Sequence, residues 1–563
     1  MPTNDTGSTK SGGEHVYDAL VDAGIELLVG LPGTQTLPLD RVVVERDEME
    51  YLMARHETAI PHVAWGYYET TGVPAATLTI PGPGETNAMH GLKNAFDDCV
   101  PILHVSADID PADRGRGPIH EIEPDTYDNV VKANVTVETP VELAEKTERA
   151  VETALTEPYG PVRLGVPSRI LETRFAANPV RVTPETVDRD STHPIEAAVE
   201  ELVAAERPVV YVGGRVRRSP NGSRVAQELA RELDAPVVAS YKGKGVFPED
   251  DPRFAGVTGK HLPRGAKRVL DTADVVLALG TEFNGVTTAD WTLPMGETLV
   301  HVAHSVDDID EGYQADVAIV ADTGDAGESI LDGLRMSTGR VDGWEGGSIG
   351  RRVREEYLSH LDAAGLLDGD PITTPAGLRT VREVLPRDGV VTTDVGGFRL
   401  WAKQVFEAYD ATTYVTAGSW AGMGLGLPAA LGVKVARPDR PVVSLHGDGG
   451  LMMCLQELHT AVEHDLDVVV VVFNDSDYGI ISKSPKIDEY TDSHPFEWTS
   501  PEFTTVAEGF GCRGTSVDSR SGLRSAVEVG LDADVPTLVD VRVSTDEPSA
   551  IEASQYESAV DLS

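Results

Sequence analysis

Between Pro441 and Asp475 the chain carries two apolar runs, each ending in acidic and small residues, with an amphipathic stretch between them. Pro441 to Leu445 leads into His446-Gly447-Asp448-Gly449-Gly450, and Val468 to Phe473 leads into Asn474-Asp475. Short β-branched runs closed by turn residues read as strands. A strand, a glycine turn, a helix and a second strand form a βαβ unit, whose parallel strands end at one sheet edge. That edge must carry Asp448 and Asp475 together, beside backbone N–H groups at a helix N-terminus that favour an anion. Two carboxylates next to a phosphate cradle suit Mg²⁺, which takes a few protein oxygens and completes its octahedron with phosphate and water. Gly-Asp-Gly alone is an ordinary acidic turn; the second strand-end carboxylate, after residues 450 to 473, gives the motif its specificity.

The same alternation of helix and strand runs through the whole chain. Glu14 to Ala23, Glu26 to Val29, the turn Leu31-Pro32-Gly33, a helix opened by Arg55-His56-Glu57, Ala75 to Ile80, Pro81-Gly82-Pro83-Gly84 and Ile102 to Ser106 form a first series, with Pro161 to Val166 as its closing strand. A second series holds strands at Pro208 to Val212, Pro236 to Ala239, Asp274 to Leu279, Thr298 to Ala303 and Ala315 to Val320. Alternation of this kind predicts doubly wound parallel sheets with helices on both faces. The fold class is therefore α/β with three tandem domains: a flexible tail at 1–13, a first domain at 14–177, a linker at 178–194, a central domain at 195–337, a linker and helix at 338–370, a third domain at 371–545 and a polar tail at 546–563. No sequence repeat marks the domains as duplicates. The Gly213-Gly214 turn of the central series does not complete a dinucleotide fingerprint.

A length of 563 residues exceeds one core, which agrees with several domains. The 47 basic against 92 acidic residues, a net charge of −45, argue against nucleic acid and anionic membranes as partners. The acidic excess reads as a solvated surface adapted to high salt, where screening relieves self-repulsion. Three dispersed cysteines, Cys99, Cys454 and Cys512, imply a reducing compartment. With no leader-like apolar segment and no run of transmembrane length, the expectation is a cytoplasmic protein.

The Gly-Asp-Gly motif followed at this interval by Asn-Asp resembles the cofactor motif of thiamine diphosphate enzymes. By that resemblance Asp448, Asp475 and the backbone carbonyl of Asp477 hold Mg²⁺, which clamps the diphosphate, with Gly447, Gly449, Gly450, Tyr478 and Gly479 around it. Three further blocks, Gly30-Leu31-Pro32-Gly33, Arg55-His56-Glu57-Thr58-Ala59 and Pro81 to Asn87, resemble the pyrimidine-binding domain of acetolactate synthase and the related 2-oxo acid decarboxylases. The family's Glu, here Glu57, hydrogen-bonds N1′ of the aminopyrimidine. Sharing a proton there favours the imino tautomer, whose exocyclic nitrogen removes the thiazolium proton. Ser419 to Pro428 resembles the segment that holds the cofactor bent: Met423 supports the bend, the Ala421 carbonyl accepts from the 4′-amino group, and Gly422 lies between them. Thr393-Asp394-Val395-Gly396 resembles the strand-end turn at the diphosphate. Gly397-Phe398-Arg399 departs from the synthases' polar pair there, so contact must come from backbone N–H groups or from Arg399.

The substrate is expected to meet Pro32, Gly33, His120, Ile480 and Ile481. His120 stands where synthases usually carry Gln and pyruvate decarboxylases carry His; it is the second catalytic candidate. His56 and His90 have weaker claims, and His446 reads as structural. Ile481 replaces a decarboxylase Glu, Thr34 a decarboxylase Asp, and Ser484 a synthase Trp. Lys242 to Pro248 resembles the flavin-binding synthases, yet an arginine near Thr281-Glu282-Phe283 and acidic residues at His304-Ser305 are missing, which puts FAD in doubt. The resemblance implies a thiamine diphosphate- and Mg²⁺-dependent enzyme that decarboxylates a 2-oxo acid and passes the enamine to an acceptor, as acetolactate synthases do. A simple 2-oxo acid decarboxylase is the alternative, and an inactive cofactor-binding regulatory protein a more remote one. The cofactor would lie between two chains, in a homodimer or homotetramer, with a regulatory small subunit as a further candidate partner.

Overall fold

The computed structural model describes residues 9–176, 192–337, 344–484, 486–489 and 496–562. Three six-stranded parallel sheets dominate it. The first runs Glu50–Met53, Leu27–Gly30, Ala75–Thr79, Ile102–Asp108, Val162–Pro167, Ala133–Thr136, and the third runs Tyr414–Thr416, Val390–Thr393, Val442–Gly447, Val469–Asn474, Thr537–Arg542, Arg513–Val517. Numbered within each domain, both follow the order 2-1-3-4-6-5. The central sheet instead follows 3-2-1-4-5-6. The first and third domains thus repeat one topology although their sequences show no repeat. Central strands are apolar on both faces, as parallel strands covered by helices must be: Val469–Asn474 is buried along its whole length.

The two repeated domains meet through equivalent helices. Ala59–Thr71 and Gly426–Ala436 each follow the second strand of their sheet, and they pack on one another within a single apolar cluster. A Cβ on Gly66 would overlap the Ala429 backbone, and one on Gly432 the Val63 carbonyl, so glycine on each helix permits close backbone approach.

At the junction of all three domains lies a buried ionic hub. Lys242 of the central domain donates to Glu69 (2.9 Å) and Asp98 (3.2 Å) of the first and to the Thr416 carbonyl (3.0 Å) of the third. Arg217 and Arg218 also pair with Glu69, which they and Lys242 hold ionised despite its burial.

Several expectations are corrected. The strand at Val162–Pro167 is the last of the first sheet in chain order, yet it lies inside that sheet, and Ala133–Thr136 forms the edge. Residues 10–13 do not belong to a flexible tail: Lys10–Ser11 pairs antiparallel with Arg174–Phe175, and Ser11 caps the helix Gly12–Asp22. The stretch after Gly447 forms two short helices, Asp448–Leu451 and Glu457–Glu463. The C-terminal segment is packed: Glu547 accepts from Thr374 N–H, Val560 is buried, and the Leu562 carbonyl accepts from the indole of Trp344, which packs in an apolar cluster with the central sheet. Most of the linker expected at 178–194 falls outside the described residues; the helix Thr192–Ala204 begins before its end.

Candidate active site

In the third sheet Val442–Gly447 and Val469–Asn474 are adjacent, with Gly447 opposite Phe473, so Asp448 and Asp475 project from the same edge. Asp448 is held from three sides. Its own Oδ1 accepts from Gly449 N–H (2.9 Å), and its Oδ2 accepts from the Trp498 indole (2.9 Å) and the Ser500 hydroxyl (3.2 Å). Among the described residues no such set of donors reaches Asp475; Lys483 Nζ is 3.7 Å away. Burial and the nearby Asp448 push the Asp475 carboxyl up to about 6, and burial also raises Asp448. Two carboxylates forced together in this way, where ionisation of one opposes the other, are a donor set that a divalent cation would relieve. Trp498 and Ser500 had no signal in the sequence, because they come back to the site from a later segment.

The surrounding turns fit a phosphate-bearing ligand. A Cβ on Gly449 would meet the Tyr478 ring and one on Gly479 would meet Asp475, so both backbones stay close to the cleft. Ser476 adopts φ +57, which turns the chain between Asp475 and Asp477. The Asp477 carboxylate accepts from the Ser482 hydroxyl (2.7 Å). A cleft of about 240 Å³ is lined by Asp448, Asp475, Asp477 and Tyr478 together with Gly396, Gly397, Met423, Ile480 and Ile481, and by Trp401 and Glu547.

Asp394 is placed differently from the diphosphate contact expected of it. It is fully buried, and its carboxylate accepts from Gly424 N–H (2.9 and 3.1 Å), Val395 N–H (2.6 Å) and His446 Nδ1 (3.0 Å). His446 engages Ser444 with its other nitrogen (2.8 Å), in keeping with a structural role. Asp394 therefore ties the loop after Met423 to the sheet edge. Arg399 is corrected outright: its guanidinium is buried against Thr416 and the Ala417 carbonyl and does not line the cleft, which leaves backbone N–H groups at Gly396 and Gly397.

The first sheet carries the other half of the constellation. Glu57 accepts from Asn87 Nδ2 (3.0 Å) and stands beside Gly84 at the start of the helix Pro83–Asp97. His120 holds φ +67, its Nδ1 is 3.2 Å from Gln35 Nε2, and its backbone packs on Gly82. Gly33 packs against Ile80. Pro32, Gly33, Glu57 and His120 thus gather at one edge, but none of them lines the cleft of the same chain. Arg55, next to Glu57, contacts His459 and Glu457, so the neighbouring segment docks on its own third domain.

At the switch point of the central sheet, where a dinucleotide would lie, the strand-end loops are joined. Gly213 N–H donates to the Leu279 carbonyl (2.8 Å) and Arg215 N–H to the Gly280 carbonyl (3.0 Å). The crevice left there, beside Arg215, Arg218 and Lys242, is about 50 Å³.

Three tandem α/β domains with a paired-carboxylate edge in the last define a thiamine pyrophosphate enzyme. Profiles of that family match each domain: the N-terminal TPP binding domain over residues 10–128, the central domain over 195–330 and the C-terminal TPP binding domain over 394–541. The chain belongs to this family and is a thiamine pyrophosphate-dependent enzyme of the acetolactate synthase type. Its relatives include the probable acetolactate synthase large subunit of Methanocaldococcus jannaschii, 28% identical with 94% of this chain and 91% of the relative covered. The isozyme 1 large subunit of Escherichia coli is 27% identical, covering 97% of each chain, and the isozyme 3 large subunit is 29% identical, covering 93% and 92%. No helix among the described residues is long and apolar enough to cross a membrane.

Proposed function

We propose that the protein is a Mg²⁺-dependent carboligase, which decarboxylates a 2-oxo acid and joins the remaining fragment to a second carbonyl compound. The observation that carries this reading is the Asp448–Asp475 pair, raised and unrelieved, in a cleft whose reacting end presents Ile480 and Ile481. Bound thiamine diphosphate supplies the carbon nucleophile and the electron sink. Asp448, Asp475 and the Asp477 carbonyl would hold the metal at its diphosphate. Glu57 would hold a proton at the aminopyrimidine, and Met423 would keep the two rings in contact. Ile480 and Ile481 offer no acid, so an acceptor carbonyl competes well against simple protonation. His120 supports the second reading, a decarboxylase that releases an aldehyde, because its imidazole sits at the same edge as Glu57.

A homodimer is part of this reading, and the absence of Glu57 from the cleft lined by Asp448 and Asp475 supports it. Since Glu57 is absent from the cleft of its own chain, the partner's first domain would supply it. The relatives' designation as large subunits supports a small regulatory partner. A flavin forms no part of the reading, since the arginine and acidic residues of the flavin-binding synthases are missing near Thr281-Glu282-Phe283 and at His304-Ser305.

Product identification tests the chemistry: with thiamine diphosphate, Mg²⁺ and high salt, a panel of 2-oxo acids should yield acetohydroxy acids, whereas an aldehyde product would favour the decarboxylase. Complementation tests the assembly. Glu57→Gln and Asp448→Asn chains should each be inactive alone, and chains co-refolded as a mixture should regain up to about a quarter of parental activity, the share of correctly paired sites expected of a random dimer. A mixture as inactive as its parents would exclude shared sites.

A further inference from the structure

On the reading above, the loop Trp420-Ala421-Gly422-Met423 grips the aminopyrimidine, and its shape is the question. Ala421 holds φ +49, a left-handed conformation that costs a non-glycine residue energy and persists only where the surroundings impose it. One restraint is Asp394, which captures Gly424 N–H with both carboxylate oxygens. The other comes from a different domain. His90, on the first-domain helix Pro83–Asp97, packs directly on Gly422: a Cβ on Gly422 would overlap Cε1 and Nε2 of the ring. The Trp420 indole N–H donates to His90 Nδ1 (3.4 Å). Behind it stands His62, fully buried, with its ring 5.2 Å from that of His90 and at 85° to it. The His90 imidazole is thus fixed from behind, bonded to Trp420 and pressed on Gly422, on both sides of the strained Ala421.

We propose that His90 is a positioning residue for the cofactor, holding the Ala421 carbonyl and Met423 N–H in their binding geometry, and that residue 422 must be glycine because His90 occupies the space of its side chain. The pair is one device: ring on one domain, missing side chain on the other. His90 touches no reacting atom in this account. It keeps the loop in its competent form, so its loss lowers the competent fraction and weakens apparent affinity in proportion.

Calorimetric titration of the apo protein with thiamine diphosphate and Mg²⁺ provides the readout, without turnover. His90→Ala should weaken binding about tenfold, the order expected when the hold on one strained residue is released. His90→Gln, which keeps an acceptor for Trp420, should recover part of that. Gly422→Ala should weaken binding in the parent but cause no further loss in the His90→Ala background, a coupling that a general loss of packing would not produce. In the cofactor-free protein, acrylamide quenching assigned to Trp420 by comparison with Trp420→Phe should rise in His90→Ala. Unchanged affinity in His90→Ala, or additive losses in the double variant, would overturn the assignment. If the parent binds no thiamine diphosphate, the functional reading falls, and Trp420 quenching alone decides whether His90 holds the loop.

Discussion

Replacing Asp475 by Asn should stabilise the metal-free protein. The carboxyl is pushed from its ordinary 3.8 up to about 6 by burial first and by Asp448 second, with Lys483 opposing. A rise of that size corresponds to about 3 kcal/mol of destabilisation once the group is ionised in the folded state, an upper bound for the variant because the new amide needs partners of its own. The sign is fixed by linkage. An acid whose folded-state pKa is raised binds its proton more tightly folded than unfolded, so the strain is absent below about pH 4, grows between about 4 and 6, and is complete above. In chelator at pH 8, Asp475→Asn should therefore melt up to about 2–3 °C above the parent, and the gain should vanish by about pH 4. Added Mg²⁺ with thiamine diphosphate should reverse the ranking, since the parent gains a relieved carboxylate pair and the variant loses a charged ligand. Thermal unfolding followed by calorimetry, with chelator or metal across this pH range, separates the two effects. A variant no more stable than the parent at pH 8, or an advantage that persists at pH 4, would refute the idea that Asp475 is strained by burial and Asp448.

Two further perturbations probe what holds the site in place. Lys242→Met should cost about 3–5 kcal/mol by leaving Asp98 and Glu69 short of a buried partner at the three-domain junction. A calorimetric transition unchanged from the parent would show that the hub contributes nothing. Ending the chain after Asp546 removes Glu547 from the helix Thr374–Val384 and uncovers the cleft wall, so both thermal stability and cofactor affinity should fall. Titration calorimetry showing parental affinity would mean that the C-terminal segment plays no part in the site.

The legible parts of the fold were those with a strong apolar signal. Val469–Asn474 and Val442–Gly447 are buried on both faces, so their sequences are nearly unbroken β-branched runs, and the acids at their ends could be placed on one edge by topology alone. Glu50–Met53 and Ala133–Thr136 were missed because they are edge strands, only half covered, with polar residues that read as loop. The C-terminal segment was misread for a related reason. Its contacts are a capping serine at Ser549, a backbone acceptor at Leu562 and isolated apolar residues such as Val560, none of which makes a periodic pattern.

The candidate site was legible as a set of residues and less so as a set of roles. A carboxylate at a strand end reads the same whether it faces a ligand or the protein, and Asp394 faces the protein: His446 and Gly424 take its oxygens. Nothing in Thr393-Asp394-Val395-Gly396 reveals this, because the deciding donors arrive from residues 424 and 446. His90 is the converse case. Its claim looked weak because one histidine in a helix means little, and the space it fills is recorded only as a glycine far along the chain, at residue 422. Both residues converge on one loop, from two domains, on either side of a strained alanine. If the left-handed Ala421 is what the cofactor requires, weakening either restraint should raise the cofactor concentration needed for half-saturation while leaving the Asp448–Asp475 end unaltered. Mg²⁺ affinity measured at saturating thiamine diphosphate in His90→Ala should then equal that of the parent, and a parallel loss would mean that the loop and the metal edge move as one body.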